Sequence, residues 1–370
     1  MPKPKKYQTY RSIIKHLLWH QDPLILQEAK SWFEEEIWRV ASLQIPQARK
    51  QLTISQLLAL LPYFLTLEDS SVTIPIIHAG NWKQHRYNIE KISLTPEILP
   101  SCDRFFAYGL VPEDPNNQHL LIFKGTTYPT DSGFWSTIMA DLYPFSDIGT
   151  PLIWWGKKHL NTWAQNHQNI HILGQSLGGA LALMSHDLPN VHSVTCVNPA
   201  LPSKDVPCKN CRVIFNQTDT LSKIGVIPSA ADTFQVSVES SQNIPKFIAH
   251  IQPWLSDEKS NVAQLSVEDS HKHRYRFWYF LYHIARPIAF FLVLSFYILH
   301  LIYSYTVAFF NWLLQPVSAL FSQKKPRQSK IMYSVQSPEV ETIKKIMSPS
   351  HFTSTKSDTA SQNTHTKTKG

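Results

Sequence analysis

The stretch IHILGQSLGGAL, residues 170–181, joins an apolar run to an Ala/Leu-rich run through the pattern Gly-x-Ser-x-Gly. The first run predicts a buried strand and the second predicts a helix. A serine at such a strand-to-helix turn has a strained backbone, and glycines two residues away on either side avoid a collision. Ser176 is therefore a candidate nucleophile, with the amide of Leu177 as a candidate oxyanion donor. An ordinary tight turn is the alternative interpretation.

A nucleophilic serine needs a base and an acid that orients the base. Where the serine lies at a strand-to-helix turn of an α/β sheet, these residues follow one another along the chain in the order Ser, Asp, His. Residues 211–216 predict a strand that runs into Gln-Thr-Asp, so Asp219 lies at a strand's carboxyl end, where open α/β sheets place their sites. Asp205 and Asp232 lie in turn-like stretches and are interpreted as solvated loop carboxylates. Asp219 is the predicted acid.

The base is chosen among the five histidines that follow the acid: His250, His271, His273, His283 and His300. His283 and His300 fall within an apolar segment, and His250 follows a short amphipathic stretch. The polar loop 267–275 is a better place for a mobile, hydrated imidazole, so we predict His271 as the base and His273 as the alternative. The other interpretation of this loop is a basic cluster that flanks a membrane segment.

Ordered pieces of the chain between residues 72 and 275 share their pattern with a known family. They are HLLIFKGT at 119–126, FWSTIMADL at 134–142, GQSLGGAL at 174–181 and NQTDTL at 216–221. Together they resemble the class 3 lipases, which have the α/β-hydrolase fold. Lys124 stands where that family has arginine, Gln175 stands where it has histidine, and the spacer between Trp135 and Asp141 is longer. The spacing of His271 and Tyr275 is similar to that in some members.

The resemblance implies a Ser-His-Asp triad, which maps to Ser176, His271 and Asp219. It also implies an oxyanion hole in which Thr126, the residue after the strand's glycine, acts beside the amide of Leu177. It implies neither a metal nor another cofactor. Cys-x-x-Cys at residues 208–211 has the spacing of a metal or redox pair, but no further ligands stand nearby, so we interpret these cysteines as loop thiols.

The apolar periodicity changes along the chain and divides it. Residues 1–67 read as helical with a helix start at Asp22-Pro23, whereas short apolar runs begin at Val72. We predict a helical cap segment at 1–70, an α/β-hydrolase catalytic domain at 71–276, a transmembrane anchor at 277–321 and a disordered basic Ser/Thr-rich tail at 322–370. The aromatic-rich stretch 127–151 is interpreted either as an apolar flap over the site or as core.

Residues 287–310 are apolar apart from a few uncharged polar side chains and contain no Lys, Arg, Asp or Glu. About 20 such residues cross a bilayer. We predict a single spanning helix, with a hairpin broken near Arg286-Pro287, a buried helix or a surface-lying helix as alternatives. Basic residues flank both ends, so the positive-inside rule gives no orientation. The basic amino terminus has no apolar stretch after it, and we expect the catalytic domain on the cytoplasmic side.

The tail from residue 323 carries nine Lys/Arg and three Asp/Glu, which is +6 of the chain's +8. Such a tail suits anionic headgroups, and no nucleic-acid module is present, so we expect a membrane and no nucleic acid as partner. The predicted function is a membrane-anchored serine hydrolase of lipid or other apolar acyl esters. The alternatives are an acyltransferase or thioesterase with the same serine, and a non-catalytic membrane-tethered interaction protein. Protein partners are not predicted.

Overall fold

The computed structural model describes residues 23–66, 68–78, 81–128, 131–219, 221–237, 250, 261–266 and 276–322. The chain divides into two compact units, Met1–Phe309 and Phe310–Gly370. The first contains a central sheet with helices, and the described part of the second continues the last helix. The predicted disordered tail lies outside the described residues.

Six helices and nine strands make up the described chain. The helices are α1 (Pro23–Ser42), α2 (Gln47–Leu60), α3 (Phe134–Leu142), α4 (Thr150–Asn166), α5 (Leu177–Met184) and α6 (Arg276–Ser322). The strands are β1 (Ser71–His78), β2 (Asn81–Ser93), β3 (Phe106–Pro112), β4 (His119–Phe123), β5 (Ile170–Gln175), β6 (Val191–Val197), β7 (Cys211–Asn216), β8 (Asp232–Ser237) and β9 (Asn261–Leu265).

All nine strands form one mixed sheet in chain order, β1 to β9. The pairs from β1 to β4 are antiparallel, those from β4 to β8 are parallel, and β8 pairs with β9 antiparallel. The carboxyl ends of the five parallel strands therefore meet at one edge of the sheet. The mixed α/β class predicted from the sequence is confirmed, as are the strand–turn–helix at 170–181 and the strand at 211–216.

Apolar layers cover both faces of the sheet. On one face, residues of α3, α4 and α5 pack with the sheet in a cluster that includes Leu152, Leu160, Leu181 and Phe123. On the other face, α1 and α2 pack against the first strands through residues such as Phe33. The amino-terminal helices, predicted as a segment packed on the core, complete this second layer. Burial of both faces explains the nearly continuous apolar runs of β4 and β5.

The long carboxyl-terminal helix α6 contains the apolar segment Ile284–Phe310, which has 27 residues and a mean hydropathy of 1.9. By length and composition this segment is able to cross a membrane, and only 6% of its 18 most apolar consecutive residues are buried. The helix runs without a break from Arg276 to Ser322, so a hairpin broken near Pro287 is wrong.

Candidate active site

Ser176 lies at the turn between β5 and α5, and its backbone has φ 57° and ψ −122°. This conformation is rare for a residue with a side chain and costs about 1–3 kcal/mol, so the surrounding contacts have to hold it. The Ser176 amide donates to the carbonyl of Val197 at 3.0 Å, and the amides of Gly179 and Ala200 donate to the Ser176 carbonyl. The serine is partly exposed, whereas Gln175 and Leu177 on either side are buried.

The glycines around the serine are required by close backbone approaches. A Cβ on Gly174 would lie 2.0 Å from the carbonyl oxygen of Gly178, and a Cβ on Gly178 would lie 2.2 Å from the carbonyl oxygen of Phe123. The collision expected from the sequence is therefore present in the fold. Gly125, after β4, lies against the same turn, because its added Cβ would lie 3.4 Å from Ser176 Cβ. This approach brings the residue after it, Thr126, to the turn.

Asp219 follows β7 and is almost fully buried. Burial opposes its ionisation, but the interaction with His250 and hydrogen bonds from Ser222 and the Leu221 amide hold the pKa of the Asp219 carboxyl below its usual value. The Ser222 hydroxyl donates to Oδ2, and the Leu221 amide donates to Oδ1 at 3.1 Å. The site therefore contains a preformed carboxylate two parallel strands away from the end of β5.

The imidazole next to this carboxylate belongs to His250, whose Nδ1 lies 3.1 Å from Asp219 Oδ1. The ring is buried, and its other nitrogen, Nε2, has no hydrogen-bond partner among the described residues. The Nδ1–H direction does not meet the full geometry of a hydrogen bond, as is common for catalytic pairs before substrate binds. No hydrogen bond joins His250 to Ser176 within the described parts of the chain.

His250 was not the histidine predicted from the sequence, and the predicted base His271 and its alternative His273 lie outside the described residues. Two buried amides fix the backbone of His250. Its carbonyl accepts hydrogen bonds from Gln175 Nε2 at 2.8 Å and from Asn198 Nδ2 at 2.7 Å. The polar residue Gln175, directly before Ser176, is visible in the sequence. That its side-chain amide binds the His250 carbonyl could not be deduced without the fold.

Thr126 and Asp141 form the other side of the site. The Thr126 hydroxyl donates to Asp141 Oδ2 at 2.6 Å, and Tyr63 donates to the Thr126 carbonyl at 3.3 Å. Burial raises the pKa of Asp141 to about 7, against the lowering effects of the Thr126 hydroxyl and of the charges of Arg286 and His250. These interactions connect α3, the turn after β4 and the histidine. Thr126 follows Gly125, whose backbone lies against the serine turn, and the Leu177 amide belongs to that turn.

Lys124, which stands where the lipase pattern has arginine, is buried beside this turn. Its ammonium group forms an ion pair with Asp131 and lies 5.3 Å from the centre of the Tyr63 ring. Both contacts hold the segment after β4, and neither involves Ser176, Asp219 or His250. Lys124 therefore has a structural role among the described residues.

The aromatic-rich segment that the sequence left open as flap or core contains α3. Phe134, Trp135, Ile138 and Met139 are all partly buried, and the Trp135 ring stacks on Tyr297 of α6 at 5.9 Å. The segment thus lies between the sheet and α6. It is neither a free flap nor a fully buried core element.

Among the described residues, two groups of side chains bring metal-ligating atoms together. Cys208 and Cys211 are buried free thiols, and Cys211 begins β7 rather than lying in a loop. The pKa of each thiol is raised, for Cys208 first by its hydrogen bond with Cys211 and then by burial, and for Cys211 first by its hydrogen bond with Cys196. Donor atoms of Cys102, Asp103 and His300 lie within 4.8 Å of one another.

Of the six predicted site residues, His271 and His273 lie outside the described residues, and the other four lie at one edge of the sheet: Ser176, Leu177, Thr126 and Asp219. The arrangement combines a strained serine, a His–Asp pair and potential oxyanion donors. No protein-family model matches this chain, and a comparison with curated proteins finds no match.

Proposed function

We propose that this chain is a membrane-anchored serine hydrolase with an α/β-hydrolase fold, and that it cleaves carboxylic esters of lipid-like substrates. The observation that carries the proposal is the pair formed by Asp219 and His250, at the same edge of the sheet as Ser176. A strained serine alone also occurs in non-catalytic turns. A buried carboxylate that holds an imidazole with one nitrogen unpaired is the arrangement that activates a serine.

The proposed reaction begins when Ser176 Oγ attacks the acyl carbonyl and His250 Nε2 takes the hydroxyl proton. Asp219 orients the ring through Nδ1 and stabilises the imidazolium that forms. His250 then gives the proton to the leaving alcohol, which departs and leaves an acyl-serine. Water, deprotonated by His250, hydrolyses the acyl-serine and restores the enzyme. His250 replaces the sequence assignment of His271 in this proposal because Asp219 already holds it.

Thr126 and the backbone amide of Leu177 are the proposed oxyanion donors. The Leu177 amide begins α5, where the helix dipole favours negative charge. The Thr126 hydroxyl already donates its proton to Asp141, so the donor that Thr126 offers to an oxyanion is its backbone amide, and the contact with Asp141 fixes the residue before substrate binds. Donors that are fixed in advance stabilise the transition state without a cost of reorganisation during the reaction.

The test is covalent labelling of the full chain, in detergent, with a fluorophosphonate probe. We expect labelling in the wild type and in Ser203→Ala, an exposed serine outside the site, and loss of labelling in Ser176→Ala. We also expect strong loss in His250→Ala and little change in His271→Ala and His273→Ala. Loss of labelling in His271→Ala or His273→Ala, with His250→Ala unaffected, would return the base to the polar loop.

Two other outcomes lead to the alternative functions. Labelling of Ser176, followed by transfer of the acyl group to an added alcohol rather than to water, would make the protein an acyltransferase. No labelling of the folded protein in any detergent would favour a non-catalytic tethered protein.

The helix α6 is the proposed anchor. The single span with a cytoplasmic catalytic domain, predicted from the sequence, is one of two ways in which this helix can meet a membrane.

A further inference from the structure

The helix α6 contacts the rest of its compact unit at two widely separated points. Arg286 donates to the carbonyl of Ser146 at 3.0 Å, and Tyr305 donates to the carbonyl of Ile98 at 2.7 Å. These residues are 19 positions apart, which corresponds to about 28 Å of helix. We call the sheet and the helices packed on it, which contain Ser176, the catalytic unit. The helix α6 therefore lies along the catalytic unit over most of its apolar segment.

A polar contact between these two points strengthens the docking. Nε2 of His300 lies 3.2 Å from Oδ2 of Asp103, a carboxylate that is 1% exposed. Burial raises the pKa of Asp103, and the interaction with His300 counteracts this effect. A histidine in the part of the helix that has no Lys, Arg, Asp or Glu, residues 287–310, thus pairs with a buried acid of the catalytic unit, and separation would remove this partner.

The opposite face of α6 is apolar and exposed. Its large side chains recur at helical spacing and include Ile288, Phe291, Leu292, Phe296, Leu299 and Ile302. Ser295 and Thr306 donate to carbonyls one turn earlier in the same helix, those of Phe291 and Ile302. Their hydroxyl groups are therefore satisfied within the helix, as a surface in contact with lipid requires.

A docked α6 and a spanning α6 exclude each other. The hydrocarbon core is about 30 Å thick, so a spanning segment would carry its contact partners, among them Asp103 and the Ile98 carbonyl, into the bilayer. These partners lie on irregular connections and a short 3-10 turn, and irregular backbone does not occur in contact with lipid. The contacts of α6 can persist only when the helix lies parallel to the membrane.

We infer that α6 stays docked on the catalytic unit and lies in the plane of a bilayer surface, with its exposed face in the lipid. The apolar surface continues beyond the helix at Ile98 and Phe145, which are 79% and 70% exposed and adjoin Tyr305 and Phe290. The chain is basic directly before and after α6, so both ends of an in-plane helix meet anionic headgroups. This inference does not depend on the reactivity of Ser176.

Photo-crosslinking of the full chain on vesicles of phosphatidylcholine and phosphatidylglycerol tests the arrangement. One variant is Tyr305→p-benzoylphenylalanine, on the docked face, and the matched variant is Phe296→p-benzoylphenylalanine, on the exposed face. We expect the Tyr305 probe to attach to the peptide that contains Ile98 and the Phe296 probe to attach to lipid. Attachment of both probes to lipid would overturn docking, and failure of the Phe296 probe to reach lipid would overturn the membrane surface.

A second measurement determines the sidedness of the chain. The full chain with a carboxyl-terminal peptide tag is bound to the outside of the same sealed vesicles and treated with protease. We expect the tag and the catalytic unit to be digested together, because an in-plane helix keeps both ends on one side. Protection of the tag while the catalytic unit is digested would establish a span and contradict the inference. Neither readout uses activity, so failure here is distinct from failure of the proposed hydrolase.

Discussion

The side-chain amide of Gln175 donates a 2.8 Å hydrogen bond to the backbone carbonyl of His250, 75 residues further along the chain. Gln175 directly precedes Ser176, so this bond ties the serine turn to the histidine that pairs with Asp219. Asn198 donates to the same carbonyl and also accepts the Asn216 amide at 2.9 Å. The ends of β5 and β6 thus share the His250 carbonyl, and the side chain of Asn198 also joins them to the end of β7.

Gln175→Met removes one of the two donors to the His250 carbonyl while it keeps a side chain of similar length. We expect kcat to fall about tenfold with little change in KM, because one hydrogen bond contributes about 1–1.5 kcal/mol to the position of the base. Ester hydrolysis by Gln175→Met and by Gln264→Met, an exposed glutamine of β9, is the comparison. Equal kcat for the two variants would remove the positioning role.

Asp219→Asn leaves a side chain of the same shape but removes the charge that orients His250. We expect kcat to fall about 10²–10⁴-fold, as for loss of an orienting carboxylate. Asp232→Asn, at the exposed start of β8, is the control and should keep wild-type activity. If Asp232→Asn is the inactive variant, the acid has been assigned to the wrong strand.

Thr126→Val removes the hydroxyl group and its bond to Asp141 but keeps the shape and the backbone amide. We expect kcat to fall about tenfold, because the contact that holds the Thr126 backbone in place is lost, and we expect Thr126→Ser to restore most of it. Steady-state kinetics on one ester substrate measure the difference. Wild-type kcat in Thr126→Val would show that the hydroxyl does not position the site.

Ser176→Gly relieves the strain at φ 57°, whereas Ser176→Ala keeps it. We expect Ser176→Gly to have a higher melting temperature than Ser176→Ala, by several degrees, and both variants to lose probe labelling. Thermal unfolding of the two proteins in the same detergent measures the difference. A lower melting temperature for the glycine variant would show that the turn stores no strain.

Asp141 predicts a pH dependence of stability. Its pKa is about 7 in the fold and about 3.9 in an unfolded chain, so between these pH values the folded state holds a proton that the unfolded state has lost. Stability therefore falls as pH rises through this window, by up to about 1.4 kcal/mol per pH unit. Asp141→Asn should flatten the change in melting temperature between about pH 4 and about pH 7. An unchanged slope would assign the dependence to other groups.

Local sequence was sufficient for the serine turn and for the strands that flank it. A Cβ on Gly174 would collide with the Gly178 carbonyl, so this requirement comes from the turn itself, whereas a Cβ on Gly178 would collide with the Phe123 carbonyl of β4. Asp219 was found in the same way, as the acid after a predicted strand. Its role as triad acid remains a prediction, but its burial and its contact with an imidazole agree with that role.

The histidine could not be found from local sequence. Five histidines follow Asp219, and the one that meets its carboxylate is held there by two amides on other strands. The same holds for α6, where Arg286 was counted as a membrane-flanking charge. In the fold this side chain is buried and donates to the Ser146 carbonyl.

The sequence by itself determined the α/β class, the strained serine turn, the strand that precedes Asp219 and a helix long enough to cross a membrane. Each depends on residues within about one helix or strand of each other, where periodicity and backbone sterics decide the conformation. The tertiary structure alone decided which imidazole faces Asp219, which hydroxyl binds Asp141 and which face of α6 is covered. These are contacts between residues tens to hundreds of positions apart, so they follow from packing and the pairing of buried polar groups.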